Sequence, residues 1–339
     1  HHTVTGTWLW RHHLGDIAAQ SVTGPLSARE RKRVLDRWIP TVMGHHGKPV
    51  SYENCHNDFL AEDIEAAQAF ARAVQTLFPA VTLPQAWNDA SWRESFLPQS
   101  WLVSALVVLA DWVGSGNHFF PWVAGEMPLA HYWARAVAQA QNALRLLPPA
   151  SDVALFKGID TLFPFITAPT PLQQHALELT INTSGPHLFI LEDVTGAGKT
   201  EAALVLAHRL MAAGQARGLY IGLPTMATAN AMYARMERAW LRLYREGSHP
   251  SLVLAHSARK LSASFNASLW ANELLPNESG DEAPAFEGCA AWFAGSPKKA
   301  LLAETGVGTL DQALMAVMAF KHQNLRLLGL NDKVLIADE

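Results

Sequence analysis

The sequence predicts a multidomain chain, an all-α first part followed by an α/β part built on a mainly parallel sheet. Three observations carry that prediction. Residues 1–150 hold apolar and amphipathic runs at helical spacing. From Thr170 onward, strand-like runs alternate with helix-like runs, the pattern of a parallel sheet with helices on its faces. The run Thr195-Gly196-Ala197-Gly198-Lys199-Thr200 stands between the apolar stretch Leu188–Leu191 and the helix-like stretch Ala202–Ala207, which is the strand, turn and helix context of a phosphate-binding loop.

Taken in order, Ser27–Trp38 opens with a serine N-cap and has Glu30 three residues later, a capping-box spacing. Asp58–Leu77 is a long amphipathic helix, Trp101–Val113 a nearly all-apolar buried one, and Ala130–Leu147 a further helix that Pro148-Pro149 ends. The second part reads as 188–192, 200–214, 218–223, 227–245, 251–255, 297–302, 309–320 and 333–337, strands and helices in turn. Ala263–Gly295, rich in polar residues and glycine near Asn277–Glu282, reads as an inserted or flexible segment. The expected division is 1–147, a linker over 148–169, and 170–339.

The formal net charge of −4 argues against a uniformly basic nucleic-acid binder, so any such binding must come from a local groove and backbone amides. Cys55 and Cys289 are too few and too far apart for a disulfide framework or a zinc-ligand spacing. No apolar run reaches membrane-span length and no signal-peptide pattern follows the start, so the expected setting is cytoplasmic, with no membrane partner. The twelve tryptophans sit mostly among apolar neighbours and read as core. The fifteen histidines cluster unevenly, which directs attention to particular sites.

In the loop, Thr195, Gly196 and Gly198 let backbone N–H groups converge on phosphate oxygens at a helix N-terminus. Lys199 would reach the β- and γ-phosphates, and the Thr200 hydroxyl would ligate Mg²⁺. A chance glycine turn explains two glycines but not Gly-Lys-Thr in this register. ATP or GTP is the expected ligand. The apolar run Lys333–Ala337 ends in Asp338-Glu339, a Walker B arrangement in which Asp338 would hold Mg²⁺ and Glu339 would polarise the attacking water. A domain would not stop inside that motif, and the chain starts at His1-His2 rather than Met, so the sequence reads as a fragment.

Three features of the first part could carry chemistry. Gly44-His45-His46-Gly47 brackets two imidazoles with glycines, Asp111 is a lone carboxylate in Leu106–Trp112, and His2 lies at the start. Imidazole and carboxylate together suit Mn, Fe, Co, Ni or Zn. Singly, each has a plain alternative: a buried acid satisfied by a neighbour for Asp111, a surface turn for His45-His46, and an affinity-tag remnant for His1-His2.

These motifs resemble those of the CRISPR-associated helicase–nucleases of type I systems, a metal-dependent HD nuclease domain followed by a superfamily 2 DExH helicase. Gly44-His45-His46-Gly47, Leu109-Ala110-Asp111-Trp112 and His2 resemble the metal motifs of the second part of the HD domain. Pro171-Leu172-Gln173 resembles the adenine-sensing Q motif, Thr195–Thr200 motif I, and Leu223–Met232 motif Ia. Ala255-His256-Ser257 and Gly306–Gln312 resemble further strand-contacting motifs, and Ile336–Glu339 the start of the DExH box.

The resemblance implies ATP with Mg²⁺, bound by Gln173, Thr195, Gly196, Gly198, Lys199 and Thr200 with Asp338 and Glu339, inside a first RecA-like lobe. It implies a divalent transition ion (Fe, Mn, Co or Ni) on His2, His45, His46 and Asp111, and single-stranded DNA on Thr225, Thr228, His256, Gly308 and Thr309. The implied partners are single-stranded DNA and an RNA-guided type I surveillance complex. The implied function is ATP-driven translocation and metal-dependent cutting of DNA in CRISPR interference. The family's earlier metal histidine, its His-Asp doublet and its second helicase lobe are not in this sequence, and Asp193 replaces a small residue beside the loop. Little activity is therefore expected of residues 1–339 alone. Two other readings stand beside this one: an unrelated P-loop ATPase with a helical accessory domain, and a nucleotide-binding docking piece without catalysis.

Overall fold

The computed structural model describes the chain apart from residues 1, 79–80, 116–118, 147–149, 183–184, 249 and 257–299. The segment expected to be inserted or flexible, Ser257 and Cys289 lie outside the described residues, as does most of 297–302. The chain forms two compact units, His1–Arg145 with Phe320–Leu325, and Leu146–Ala319 with Arg326–Glu339.

The first unit is mainly helical: α1 (His2–Leu9), α2 (Gly15–Gln20), α3 (Ala28–Met43), α4 (Ala61–Gln75), α5 (Ala90–Ser95) and α6 (Ser100–Gly114), followed by α7 (Leu129–Leu146). Ser27 caps α3 as its spacing predicts, accepting from the Glu30 N–H at 3.3 Å, while the Glu30 carboxylate accepts from the Ser27 N–H at 2.9 Å. Reading residues 1–150 as helical throughout overlooks a short parallel pair, β1 (Val22–Thr23) with β2 (Val81–Thr82), and a π-helical turn at Trp10–Leu14. Helix α6 buries Ser104, Ala105 and Val108, whereas Trp101 and Leu106 face outward, so it is a one-faced rather than a fully buried helix. The apolar stretch Ala90–Gly114, long enough by composition for a membrane span, is broken by a 3₁₀ turn at Leu97–Gln99 that contains Pro98.

The second unit adds α8 (Ile159–Leu162), α9 (Pro171–Glu178), α10 (Lys199–Ala212), α11 (Met226–Met236), α12 (Leu310–Leu314) and α13 (Gln323–Leu330), whose first turn belongs to the first unit. Its sheet holds β3 (Gly218–Leu223), β4 (Leu252–Ala255), β5 (Thr305–Thr309) and β6 (Lys333–Ala337) in the order β4-β5-β3-β6, all parallel. Every residue of β3 and β5 is buried, as expected of parallel strands covered on both faces.

Three sequence expectations change here. Residues 188–192, expected as a strand, carry no ladder hydrogen bonds. Phe189 and Leu191 pack on the core, while Leu188 and Ile190 stay 86% and 84% exposed. The alternation of a strand is present, but among the described residues its backbone has no sheet neighbour, β6 being the sheet edge there. The helix expected over 227–245 stops at Met236, and that expected over 309–320 at Leu314. The stretch 148–169, expected as a linker, is built into the second unit: Ile159, Leu162 and Phe163 join its core, and the Ser151 N–H donates to the Glu304 carboxylate at 2.6 Å.

Lys333, at the start of β6, donates to the carbonyls of Leu301 and Ala303, and burial pulls its pKa from 10.5 to about 7 against the pull of Glu304. Between those values the unfolded chain binds more protons than the folded one, so stability rises with pH across the window. Lys333→Met is expected to flatten that rise, which urea denaturation at about pH 7 and about pH 10 measures. An unchanged slope would remove Lys333 as its source.

Candidate functional site

The first candidate site grows out of the end of α3. Met43 is its last helical residue, the Gly44 N–H donates back to the carbonyls of Pro40 and Val42, and a 3₁₀ turn follows over Gly44–His46. Gly47 closes the turn in the left-handed region at φ 84°, with its N–H donating to the Gly44 carbonyl at 2.8 Å. In this tight turn His45 and His46 lie with ring centroids 4.4 Å apart, although neighbours on a regular helix would diverge. His2, the first residue of α1, completes the group. Its Nε2 is 3.4 Å from His45 Nε2 and 2.9 Å from His46 Nε2.

The set has the spacing of a ligand cluster. One nitrogen from each histidine falls within 4.8 Å of the others. Two imidazole nitrogens bound to one ion at about 2.1 Å sit roughly 3.0–3.4 Å apart, so the spacing fits a shared cation. His45 Nδ1 lies 3.0 Å from the Val42 carbonyl, an acceptor that places the proton on Nδ1 and leaves the Nε2 lone pair for a metal. Desolvation first, and then the charges of His45 and His2, lower the pKa of His46, while Asp111 opposes them. His46 thus favours its neutral, ligating form.

Asp111 stands apart from the three. It sits on α6, which packs against the Gly44–His46 turn, and its carboxylate reaches His46 through its field rather than as a member of the tight cluster. It is half-buried.

The second candidate site lies in the second unit. The loop turns at Gly196 and Gly198, with φ 88° and 80°, and Gly198 is the left-handed N-cap from which α10 starts at Lys199. Lys199 Nζ donates to the carbonyls of Asp193 at 2.8 Å and Val194 at 3.3 Å, lying across the mouth of the loop. The Thr200 hydroxyl donates to Asp338 Oδ2 at 3.0 Å, and the Asp338 N–H donates to the Gly222 carbonyl at 3.0 Å. The fold therefore joins two motifs that are 138 residues apart. Glu339 is exposed beside Asp338.

Gln173 has a different position from that of an open base reader. It is 4% exposed, its Oε1 accepts from the Thr170 N–H at 3.0 Å, and its Nε2 faces the Gly198 carbonyl at 3.5 Å. The Thr170 hydroxyl donates to the Ala197 carbonyl at 2.8 Å, so the start of α9 clasps the loop. Sequence reasoning overlooked Thr170, though Thr-Pro-x-Gln has the capping-box spacing that could have found it. It also overlooked the ion pair of Glu201 with Arg235, which links α10 to α11 and has no local sequence signal.

Among the residues expected to touch DNA, Thr225 and Thr228 are exposed at the N-terminus of α11, where they cap it: the Thr228 N–H donates to Thr225 Oγ1 at 3.2 Å. Both hydroxyls are engaged within the cap, Thr228 Oγ1 donating to the Thr225 carbonyl at 2.9 Å and lying 3.0 Å from Thr225 Oγ1. His256 differs, being 1% exposed with Nε2 2.8 Å from Asn230 Oδ1, and its place is that of a support for α11 rather than a contact. Gly308 and Thr309 are buried at the end of β5.

Comparison with known proteins bears on both sites. Residues 1–120 match the family described as Cas3, HD domain. The CRISPR-associated endonuclease/helicase Cas3 of Thermus thermophilus is 37% identical over 316 residues, covering 91% of this chain and 33% of that protein. The Escherichia coli protein of the same name is 30% identical over 320 residues, 89% of this chain and 34% of its own length. The crystal structure of T. fusca Cas3-ATP superposes with a TM-score of 0.69 at 26% identity, over all of this chain and 36% of that one. The chain spans about a third of the length of these relatives. Residues 1–120 thus match a Cas3 HD domain, and about nine-tenths of the chain is similar to one third of the length of CRISPR-associated endonuclease/helicases named Cas3.

Proposed function

We propose that the chain contributes to an ATP-driven single-strand DNA translocase joined to a metal-dependent DNA nuclease that acts in CRISPR interference. The observation that carries the reading is the pairing of two sites in one chain: three convergent histidine nitrogens in a helical unit, and the Thr200–Asp338 contact at the phosphate loop of an α/β unit. In the first, His2, His45 and His46, with Asp111 nearby, would hold a divalent Fe, Mn, Co or Ni ion. Such an ion supplies Lewis acidity and a hydroxide nucleophile at neutral pH. The chain's own part is to aim the imidazoles, through the Val42 carbonyl behind His45, and to favour neutral His46, first by desolvation and then by the charges of His45 and His2.

In the second unit, a first RecA-like lobe in this reading, Thr195, Gly196 and Gly198 cradle phosphate oxygens by backbone N–H groups, while Lys199 leaves the Asp193 and Val194 carbonyls for the β- and γ-phosphates. Thr200 and Asp338 would hold Mg²⁺, and Glu339 would take the proton of the attacking water. Gln173 and Thr170 brace the loop from behind. Thr225 and Thr228, with the amides of the first turn of α11, would hold strand phosphates without reading bases. An RNA-guided type I complex is the proposed partner, and the cytoplasm the proposed setting.

Because the relatives are about three times longer, turnover belongs to a longer protein in this proposal, and residues 1–339 alone are expected to hydrolyse little ATP. The test measures Mn²⁺-dependent cutting of single-stranded DNA and DNA-stimulated ATPase in the longer gene product. Asp111→Ala should lower cutting by about tenfold to a hundredfold and leave ATP turnover in place. Cutting that survives the loss of both Asp111 and His46 would sink the nuclease half of the reading.

A further inference from the structure

Between Ala319 and Arg326, both in the second unit, the chain makes an excursion whose residues Phe320–Leu325 belong to the first unit. At its centre is His322, a non-glycine residue at φ 59°, a left-handed conformation that a bulky side chain adopts only when its surroundings impose it. The surroundings here are the candidate metal centre. The His322 N–H donates to the Gly47 carbonyl at 2.8 Å. Its imidazole lies so close over Gly47 that a Cβ placed there would be 2.5 Å from His322 Cγ. The ring stands 5.4 Å from that of Trp112, the residue after Asp111. Two residues on, Asn324 Nδ2 donates to Ser104 Oγ of α6 at 2.8 Å in a buried contact. His322 itself is 6% exposed.

Two of the three elements that carry the candidate ligands, the Gly44–His46 turn and α6, are therefore gripped by one short segment that lies 220 to 275 residues further along the chain. Gly47 follows His46 directly, so whatever fixes its carbonyl fixes the exit of the turn that aims His45 and His46. Trp112 follows Asp111 in the same way. The histidines supply ligand atoms, but a turn closed by glycine has no side chain of its own to hold it. The ring of His322 fills the space where a Cβ at Gly47 would stand, so a side chain there would displace it.

We propose that His322 is a positioning residue of the metal centre, bracing the Gly44–Gly47 turn from behind so that His45 and His46 converge with His2. The proposal rests on reading His2, His45 and His46 as metal ligands. It makes the centre depend on a segment of the first unit that is distant in sequence and runs into the first turn of α13.

The test is a Co²⁺ titration of residues 1–339, followed by the visible absorption of the bound ion and set beside the thermal melt of the metal-free protein. His322→Asn keeps a residue that tolerates the left-handed backbone and removes the ring. The expected result is a fall in Co²⁺ affinity of about tenfold or more with an altered absorption band, as for other groups that orient ligands, while the metal-free melt moves little. His322→Gly, free of backbone strain, replaces it if the asparagine variant fails to fold. Wild-type affinity and band in either variant would overturn the proposal, and so would a lowered melt with an unchanged Co²⁺ site, which is what a merely structural strap gives. A wild-type chain that takes up no Co²⁺ would overturn the metal-centre reading beneath it, a failure told apart by the silence of the wild type itself.

Discussion

Replacing Lys199 with alanine is expected to weaken Mg·ATP binding to this chain by about tenfold to a hundredfold, the range in which a single hydrogen-bonded charge contributes roughly 1.5–3 kcal/mol. The proposed function gives the lysine two tasks. Without a phosphate, its Nζ donates to the Asp193 and Val194 carbonyls and so ties the two ends of the loop together. In the proposed nucleotide complex, the same ammonium would be the charge nearest the β- and γ-oxygens. Alanine removes both the charge and the tie, whereas arginine keeps the charge and changes the reach. Lys199→Arg should therefore retain more affinity than Lys199→Ala. Fluorescent-nucleotide titration in Mg²⁺ separates the two variants, and near wild-type affinity for Lys199→Ala would show that the loop does not bind nucleotide through this residue. The neighbouring Thr200–Asp338 contact offers an internal control, since Asp338→Asn should lower the Mg²⁺ dependence of binding more than binding itself.

Much of this architecture could be read from the sequence because its signals are local. The Gly-Lys-Thr run needs left-handed glycines before a helix, and Gly196 and Gly198 have them. The capping box at Ser27 is likewise decided within a few residues. Adjacent histidines bracketed by glycines gave the turn its place, since only a break in helical geometry lets neighbouring rings face one way. What the sequence hid is nonlocal. The backbone of 188–192 has the alternation of a strand, but pairing requires a neighbour, and the described sheet ends at β6. The identity of His322 as a neighbour of Gly47 is a contact across 275 positions and has no pattern in either segment. His256, grouped by motif with strand-contacting residues, is turned inward by Asn230, a partner that only the packing of α11 against β4 reveals.

The same contrast between motif and packing makes Gly308→Ala the most instructive substitution in the second unit. The sequence placed Gly308 among residues that meet DNA. Its surroundings supply a sufficient reason of another kind. It lies near the end of β5, between β3 and β4, and a Cβ there would penetrate the Ala255 carbonyl oxygen of β4 and come within 2.5 Å of Tyr220 Oη from β3. Neither neighbour can move cheaply. The carbonyl is part of the strand backbone, and Tyr220 is fully buried with its hydroxyl donating to the Thr309 carbonyl at 2.9 Å. Gly306, two residues earlier on the same face, meets the ring of Tyr220 as closely, so the Gly-Val-Gly-Thr run is also the groove cut for that tyrosine. Gly308→Ala is expected to destabilise the unit by about 3 kcal/mol, at the upper end of ordinary overpacking because backbone must shift. Tyr220→Phe in the same background should recover only part of the loss, since it relieves the hydroxyl but not the Ala255 carbonyl. Urea denaturation of the two variants and the double mutant measures this directly. If Gly308→Ala instead melted like wild type while losing affinity for single-stranded DNA, close approach of a strand, not the packing of Tyr220, would be the reason for glycine at this position.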